Sequence, residues 1–352
     1  MEKRDYIIVG QGLAGTILAH ILVARGKTVL LIDRPGLSSC SRISAGIFNP
    51  VVFKRLTKSW MANELLEFLV PFYKKKETLL RERLLTKTEI VRLFSSGEER
   101  KLWRSKRNEE VGNYLGEDSD DELEYFGKTE FGHASVKEAG HLNVQKFLAG
   151  SKEYFEHNGM FKDEHFDHQK LVVREGGVEY GGAEAKKIIF CEGWKGAQNP
   201  WFRNVKFNPV KGELLTVRME NYSFKKELSR GIFISNLGEG VFRVGSTFKW
   251  ENFNDDASEE GKEELLDSLR KICGNEIEII DHKAGVRPAV DDRRPVIGLH
   301  PGEKEIGIFN GMGSKGVMLA PYFADHFADH LENGTALNRE VDVARFKFDK
   351  LK

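Results

Sequence analysis

Charge of one sign is not in excess: 54 Lys and Arg balance 54 Asp and Glu across 352 residues. A balanced chain has no global field to draw it to nucleic acid or to an anionic membrane surface. Cysteine is scarce. Cys40, Cys191 and Cys273 stand far apart, form no CxxC pair and cannot all be bridged. That excludes a disulfide framework and points to a reducing compartment, the cytoplasm. No run of 18 or more uninterrupted apolar residues occurs, so no segment reads as a membrane span. The apolar stretch Tyr6–Val23 is cut by three glycines and leads into a patterned strand, unlike a secretory leader. Metal-ligand spacing is missing too. His326 and His330 lie one helical turn apart in HFADH, but the Glu of HExxH and a third ligand are absent, so no metal is expected. Glycine is the exception to this scarcity. Its 35 positions are somewhat many, and suit tight loops built against a ligand. The length allows one large domain or two ordinary ones.

YIIV (Tyr6–Val9) is a short buried strand by pattern. Gly10, Gly12 and Gly15 follow at GxGxxG spacing, then a helical apolar pattern that stops at Gly26. TVLLID (Thr28–Asp33) is the next buried strand, and Asp33 closes it 18 residues after Gly15. Each part has a physical task. Gly10 permits the tight turn, Gly12 lets backbone approach a pyrophosphate, and Gly15 lets helix pack on strand. Leu13 and Ala14 open the helix, whose free N–H groups and partial positive charge suit phosphates. Asp33 can accept hydrogen bonds from a ribose diol. GxGxxG alone is weak, but strand, helix, strand and acid together read as a dinucleotide site. An ADP half alone does not separate FAD from NAD.

After Asp33 and Arg34 the chain turns loop-like, with Pro35, Gly36, four serines, Gly46 and Pro50. Arg42, Ser44, Ala45 and Gly46 belong to this stretch, whose small residues would let a flat ring lie close to backbone. A charged, helix-rich insert over 58–124 follows. It carries the basic RKLWRSKR (Arg100–Arg107) and the acidic EDSDDELE (Glu117–Glu124). Basic residues with one aromatic could contact RNA there, but a solvated face is the preferred reading. Gly140–Gly159 reads as an amphipathic helix, and Ile188–Cys191 as a strand that returns to the first sheet and ends at Gly193. Two antiparallel-type segments, a helix over 259–272 and a return through Arg287 complete the pattern. FNGMGSKGVMLAP (Phe309–Pro321) is a second glycine loop that opens into a helix.

Eight motifs in order then carry a resemblance. They are VGQGLAG with Asp33, SAGIFNP, GHLNVQKFL, IIFCEGW, PVKGELL, GVFRVGST, AGVRPAVDDRRPVIG and FNGMGSKGVMLAP. Over nearly the whole chain this resembles the D-amino-acid-oxidase-type FAD-dependent oxidoreductases, which include glycine and sarcosine oxidases. Within them it is similar to the oxidase half of a bifunctional tRNA wobble-uridine modification enzyme. The methyltransferase half and a basic excess are both lacking.

The resemblance implies an α/β (α+β) architecture: an FAD-binding Rossmann-like domain over 1–57, 130–200 and 285–352, and a discontinuous second domain over 58–129 and 201–284 on an antiparallel sheet plus helices. It implies non-covalent FAD, because the loop after Asp33 has no His and VRPAVDDRRPVIG no Cys. Gly10, Gly12, Leu13, Ala14, Gly15, Asp33, Arg34, Arg42, Ser44, Ala45, Gly46, Cys191 and Gly193 would hold it. A second helix start at Gly311, Gly313, Ser314, Lys315, Gly316 and Val317 would face the ring where reduction puts negative charge. The substrate would be a small amine or amino acid whose carboxylate pairs with Arg287. Lys315 would be a second carboxylate contact or a site of oxygen activation. The electron acceptor is open. Trimming of carboxymethylaminomethyl-uridine in tRNA is the enzymatic alternative, and a non-catalytic FAD-binding protein the alternative of another class. Trp250 and Phe248 lie near the expected cleft, where they are candidates for packing, cleft wall or substrate contact.

Overall fold

Strand β1 (Glu2–Val9), a glycine turn, helix α1 (Leu13–Ala24) and strand β2 (Val29–Asp33) open the chain. Ile7 and Ile8 are fully buried, and so are Leu31 and Ile32, because helices and loops cover both faces of an interior parallel sheet. The chain continues through α2 (Cys40–Ile43), α3 (Ala62–Leu80), β3 (Leu85–Leu93), α4 (Gly97–Lys106), β4 (His133–Leu142) and α5 (Val144–His157) to β5 (Ala183–Phe190). Then come β6 (Val210–Arg218), β7 (Glu227–Arg230), β8 (Ile232–Gly238), β9 (Val241–Gly245), α6 (Glu259–Cys273), β10 (Glu278–Arg287), β11 (Ile306–Asn310) and α7 (Gly316–Asn333). The computed structural model describes residues 2–34, 39–123, 126, 129–222, 224–251, 253–274 and 276–348.

Two sheets organise the described residues. In the first, of eight strands, β1 lies between β2 and β5, parallel to both, and β11 runs parallel along the C-terminal half of β5. The second has nine strands in the order β10-β6-β9-β8-β7-β3-β4 and then 47–48, with 115–119 added beside β4. Its pairings are antiparallel except β7 with β3. α6 covers one face: Leu265, Leu266 and Leu269 bury against Leu215, Val217, Ile234 and Val244. Ser258 caps that helix by accepting a bond from the Gly261 N–H, and Glu259 and Glu260 fill its first turn, where the dipole favours acids. The sheet's other face is left for a ligand.

The insert over 58–124 is less helical than its pattern reads. It holds α3 and α4, but also β3 and the strand 115–119, because neighbours supply the pairing that a charged β3 does not advertise. Sheet membership also cuts across the expected segments. β4, placed above with the nucleotide-binding unit, pairs in the nine-stranded sheet. Helix α3, placed with the second unit, buries Leu65, Leu69 and Tyr73 in the cluster that holds α1 and α7. We propose the two-unit division as a description by sheet. The basic and acidic runs turn on each other. Arg100 pairs with Asp118 and Asp120, Arg104 with Asp118, and Arg107 with Glu117. Glu124 lies outside the described residues.

Candidate functional site

A cleft of about 800 Å³ opens between the two sheets. The first glycine loop forms one wall. Gly10 has φ +106°, and a Cβ there would stand 2.5 Å from the Cys191 carbonyl oxygen. A Cβ on Gly15 would stand 1.9 Å from the Gly10 carbonyl oxygen. Neither position tolerates a side chain while β1, β5 and α1 keep this approach. Gly10, Gly12, Leu13 and Ala14 line the cleft; Gly15 lies behind them as a packing residue. Ser41 Oγ accepts the Leu13 N–H at 3.1 Å, a partner that the spacing of the motif does not reveal. Asp33 lies on the wall beside Arg34 and Arg42. Burial raises its pKa, against the Arg42 guanidinium and the backbone N–H groups of Arg34 and Gln11.

The second glycine loop meets the first. Gly313, Ser314, Lys315, Gly316 and Val317 line the same cleft. The start of α7 has no side-chain cap, and while the Met318 N–H donates to the Lys315 carbonyl, the Gly316 and Val317 N–H groups are left for a ligand. A Cβ on Gly316 would sit 3.4 Å from Leu13 Cδ1, so α1 and α7 begin side by side. Gly311 is off the wall. Its φ of +77° and its closeness to Val290 and Val296 make it a turn residue.

Ser44, Ala45 and Gly46 also reach the cleft, with Cys191 and Gly193 from the end of β5. Gly46 has φ +71°, and a Cβ there would stand 2.0 Å from the Leu142 carbonyl oxygen. The loop is held by Arg243, which donates to the Ser44 carbonyl at 3.2 Å, and by Gln145, which donates to the Arg42 carbonyl at 2.7 Å. Pro35 and Gly36, read as part of this loop, lie outside the described residues. Cys40 is a free thiol on the wall. Burial raises its pKa, with Arg287 pulling the other way.

Arg287, at the end of β10, reaches into the cleft over Gly212. It donates to Ser246 Oγ at 2.6 Å and to the Thr247 carbonyl at 3.4 Å, and its guanidinium lies 4.5 Å from the Phe248 ring centre. All of these partners are neutral, and burial lowers its pKa. Phe248 is 53% and Trp250 58% exposed; Phe248 lines the cleft, whereas Trp250 is not among its lining residues.

Lys315 Nζ donates to Ser59 Oγ, a neutral partner again. Burial pulls its pKa down to about 8. Its folded pKa is thus below the unfolded value, so its burial costs stability while the amine is charged. That cost is present in full below about pH 8 and fades as pH rises toward the unfolded value. Lys315→Met is therefore expected to raise apoprotein stability at pH 7, on the order of 2 kcal/mol, and to change little above about pH 10.5. Thermal unfolding of both proteins across pH checks this.

Other sequence candidates fall elsewhere. His326 Nε2 accepts the Asn338 N–H at 3.0 Å, and His330 donates to the Thr335 carbonyl at 2.8 Å; both tie the chain beyond α7 to that helix. Trp103 is fully buried, and Trp60 stacks on Phe323. Residues that motif reading did not single out also line the cleft, notably Ser41, His168 and Glu192, and Glu227, Ser229 and Phe233 on the second sheet. None of them stands in a recognisable spacing.

A dinucleotide carrying a fused ring system fits this wall. It offers a glycine cradle that a Cβ would fill, the starts of two helices, an acid at the end of β2, and sufficient volume. Fold and site thus define a two-sheet, dinucleotide-dependent oxidoreductase architecture. The family model described as FAD dependent oxidoreductase matches residues 5–330. The chain belongs to that family, and its cofactor is FAD. It is 33% identical over 157 residues to a glycine oxidase of Bacillus licheniformis, covering 42% of each chain. It is 24% identical over 188 residues to the tRNA 5-methylaminomethyl-2-thiouridine biosynthesis bifunctional protein of Marinobacter nauticus, covering 47% of this chain and 30% of that protein. The matches to these two relatives span less than half of each relative's length. A solved glycine oxidase from Bacillus cereus shares the fold at TM-score 0.74 and 22% identity, over 95% of this chain and 96% of that one. No helix among the described residues is long and apolar enough to cross a membrane.

Proposed function

We propose that this protein oxidises the C–N bond of a small amine or amino acid carrying a carboxylate. One observation carries the reading: Arg287 places a half-buried guanidinium on the cleft wall, and its hydrogen-bond partners among the described residues are neutral. A cation so placed costs free energy unless an anion arrives. A carboxylate matches its fork. FAD, held without a covalent bond, would supply the hydride acceptor at N5. The protein's own part is to orient the substrate's C–H bond, exclude water, and set the charge around the ring. Arg287 anchors the carboxylate. With FAD bound, Lys315 and the start of α7 would put positive charge near the ring as it gains electrons. The imine product would hydrolyse in water. Three unpaired cysteines fit a cytoplasmic location. The final electron acceptor is oxygen, a quinone or another protein.

The test is anaerobic bleaching of the flavin by a panel of N-substituted glycines and D-amino acids. Bleaching by carboxylate-bearing members supports an enzyme of this class. A flavin that none of them reduces leaves the non-catalytic reading in place.

A tRNA substrate has less support. Arg100, Arg104 and Arg107 are engaged by Asp118, Asp120 and Glu117, which leaves little free charge for phosphates. The protein is expected to bind total tRNA no better than about 10⁻⁴ M at physiological salt, within the range of non-specific contact. Tight binding that weakens steeply as salt rises would restore tRNA as substrate.

A further inference from the structure

The second sheet lays an apolar surface beside the Arg287 guanidinium. A Cβ on Gly212 of β6 would stand 2.1 Å from Arg287 Nη2, so the guanidinium lies directly over that residue. Arg287 Nη2 also donates to the hydroxyl of Ser246, the residue after Gly245. Gly245 ends β9 and pairs with Leu214 of β6 on one side and Phe233 of β8 on the other. Having no side chain, it leaves room for both. A Cβ there would stand 2.0 Å from Leu214 Cδ2 and 3.2 Å from Phe233 Cζ. All three residues line the cleft. Leu214 follows Gly212 by two residues, about 7 Å along the same face of the strand. The charges near this surface are engaged. In the cross-strand row through Leu214, Gly245 and Phe233, Lys283 pairs with Asp281 and Ser229 accepts from Arg92. Beyond them, Arg243 donates to the Ser44 carbonyl, and Glu227 is held by His141 and Ser235. The glycine loops that would hold FAD stand on the other side of the cleft.

We infer that Leu214 and Phe233 set the specificity of this site: while Arg287 holds the substrate's carboxylate, an apolar side chain larger than methyl lies on these two residues. This rests on the amine-oxidising reading and names its substrate class, an α-amino acid with a branched aliphatic or aromatic side chain rather than glycine or N-methylglycine. A carboxylate on the guanidinium puts the carbons beyond it within reach of Leu214 and of the Phe233 ring, which leans over Gly245. Each methylene buried there should tighten binding about fourfold. Glycine gains none of this. A side-chain carboxylate or ammonium would give up water to face carbon. Phe233 has no hydroxyl with which to bond a polar group. Both residues determine specificity, and neither takes part in the chemistry.

The test begins with carboxylates that carry no amine and so cannot be oxidised. Acetate, butyrate, 4-methylpentanoate and succinate are titrated into the flavin-loaded protein by calorimetry. Wild type is expected to bind 4-methylpentanoate at least about 30-fold tighter than acetate, and succinate more weakly than butyrate. Equal affinity for acetate and 4-methylpentanoate, or a preference for succinate over butyrate, overturns the proposal. Phe233→Ala is expected to weaken 4-methylpentanoate at least about fivefold and acetate less than about twofold. Equal weakening of both, or none, also overturns it. Should Phe233→Ala purify without flavin, Leu214→Thr takes its place. The ratio of the two affinities should then fall at least about threefold, and an unchanged ratio counts against the proposal. Anaerobic flavin bleaching gives a second readout. The better enantiomer of leucine should reduce the flavin with a second-order rate constant at least about 30-fold above that of glycine. Glycine matching or exceeding leucine overturns the proposal. If no amine bleaches wild type, the amine-oxidising reading falls, while the carboxylate series still decides whether Leu214 and Phe233 receive an apolar group.

Discussion

Gly15→Ala is expected to yield a protein with less than about a tenth of the wild-type flavin. The added Cβ would lie 1.9 Å from the Gly10 carbonyl oxygen and 3.1 Å from its carbon. Both are backbone atoms of the turn that must approach the pyrophosphate, so relief requires α1 to move off β1. Helix propensity works in the opposite direction, since Ala in a helix interior is favoured over Gly by about 1 kcal/mol. Overpacking costs typically 1–3 kcal/mol and more where backbone is met, so sterics should win by about 2 kcal/mol or more. Displacing the start of α1 would also remove the N–H groups proposed to bind phosphate, and with them the stabilisation that bound cofactor gives the folded state. The absorbance ratio at the flavin and protein bands reads the loss, and thermal unfolding reads the destabilisation. Gly97→Ala is the control. Nothing lies within 4 Å of a Cβ there, so flavin content should not change. Full flavin in Gly15→Ala would mean that the loop does not cradle the cofactor.

Arg287→Ala is expected to weaken carboxylate-bearing substrates by about 10- to 150-fold. Hydrogen bonds to a charged group contribute roughly 1.5–3 kcal/mol, and 1.4 kcal/mol is tenfold in affinity. The guanidinium is half-buried between Ser246, Thr247 and Phe248, so solvent screens it less than a surface charge. Arg287→Lys should recover only part of the loss, because an ammonium keeps the charge without the planar fork. Amines without a carboxylate should lose little. The concentration dependence of anaerobic flavin reduction separates these cases. Unchanged saturation by a carboxylate substrate in Arg287→Ala would remove that residue from the substrate site.

How much of this was legible in the sequence depends on how local each signal is. The turn from Gly10 to Gly15 announces itself because strand, helix and acid follow within one short unit. Gly313–Val317 were readable for the same reason, a glycine loop running into an apolar helix. That the two starts lie side by side follows from the packing of α1 on α7, far apart in the chain, and no spacing encodes it. β3 was hidden because its pairing partners, β7 and β4, lie outside the insert that contains it. Glu227 was hidden in turn. Its neighbours in sequence are ordinary strand residues, and a partner that holds it, His141, lies 86 positions away. Ser41 is another such case, caught only when its hydroxyl is seen to meet the Leu13 N–H across the turn.

A crystal structure of the flavin-loaded protein tests the central claim most directly. The pyrophosphate should lie within hydrogen-bond reach of the backbone at Gly12–Ala14, and the pyrimidine edge of the ring against Gly313–Val317. A ring bound elsewhere, or a phosphate density away from the start of α1, would contradict the account.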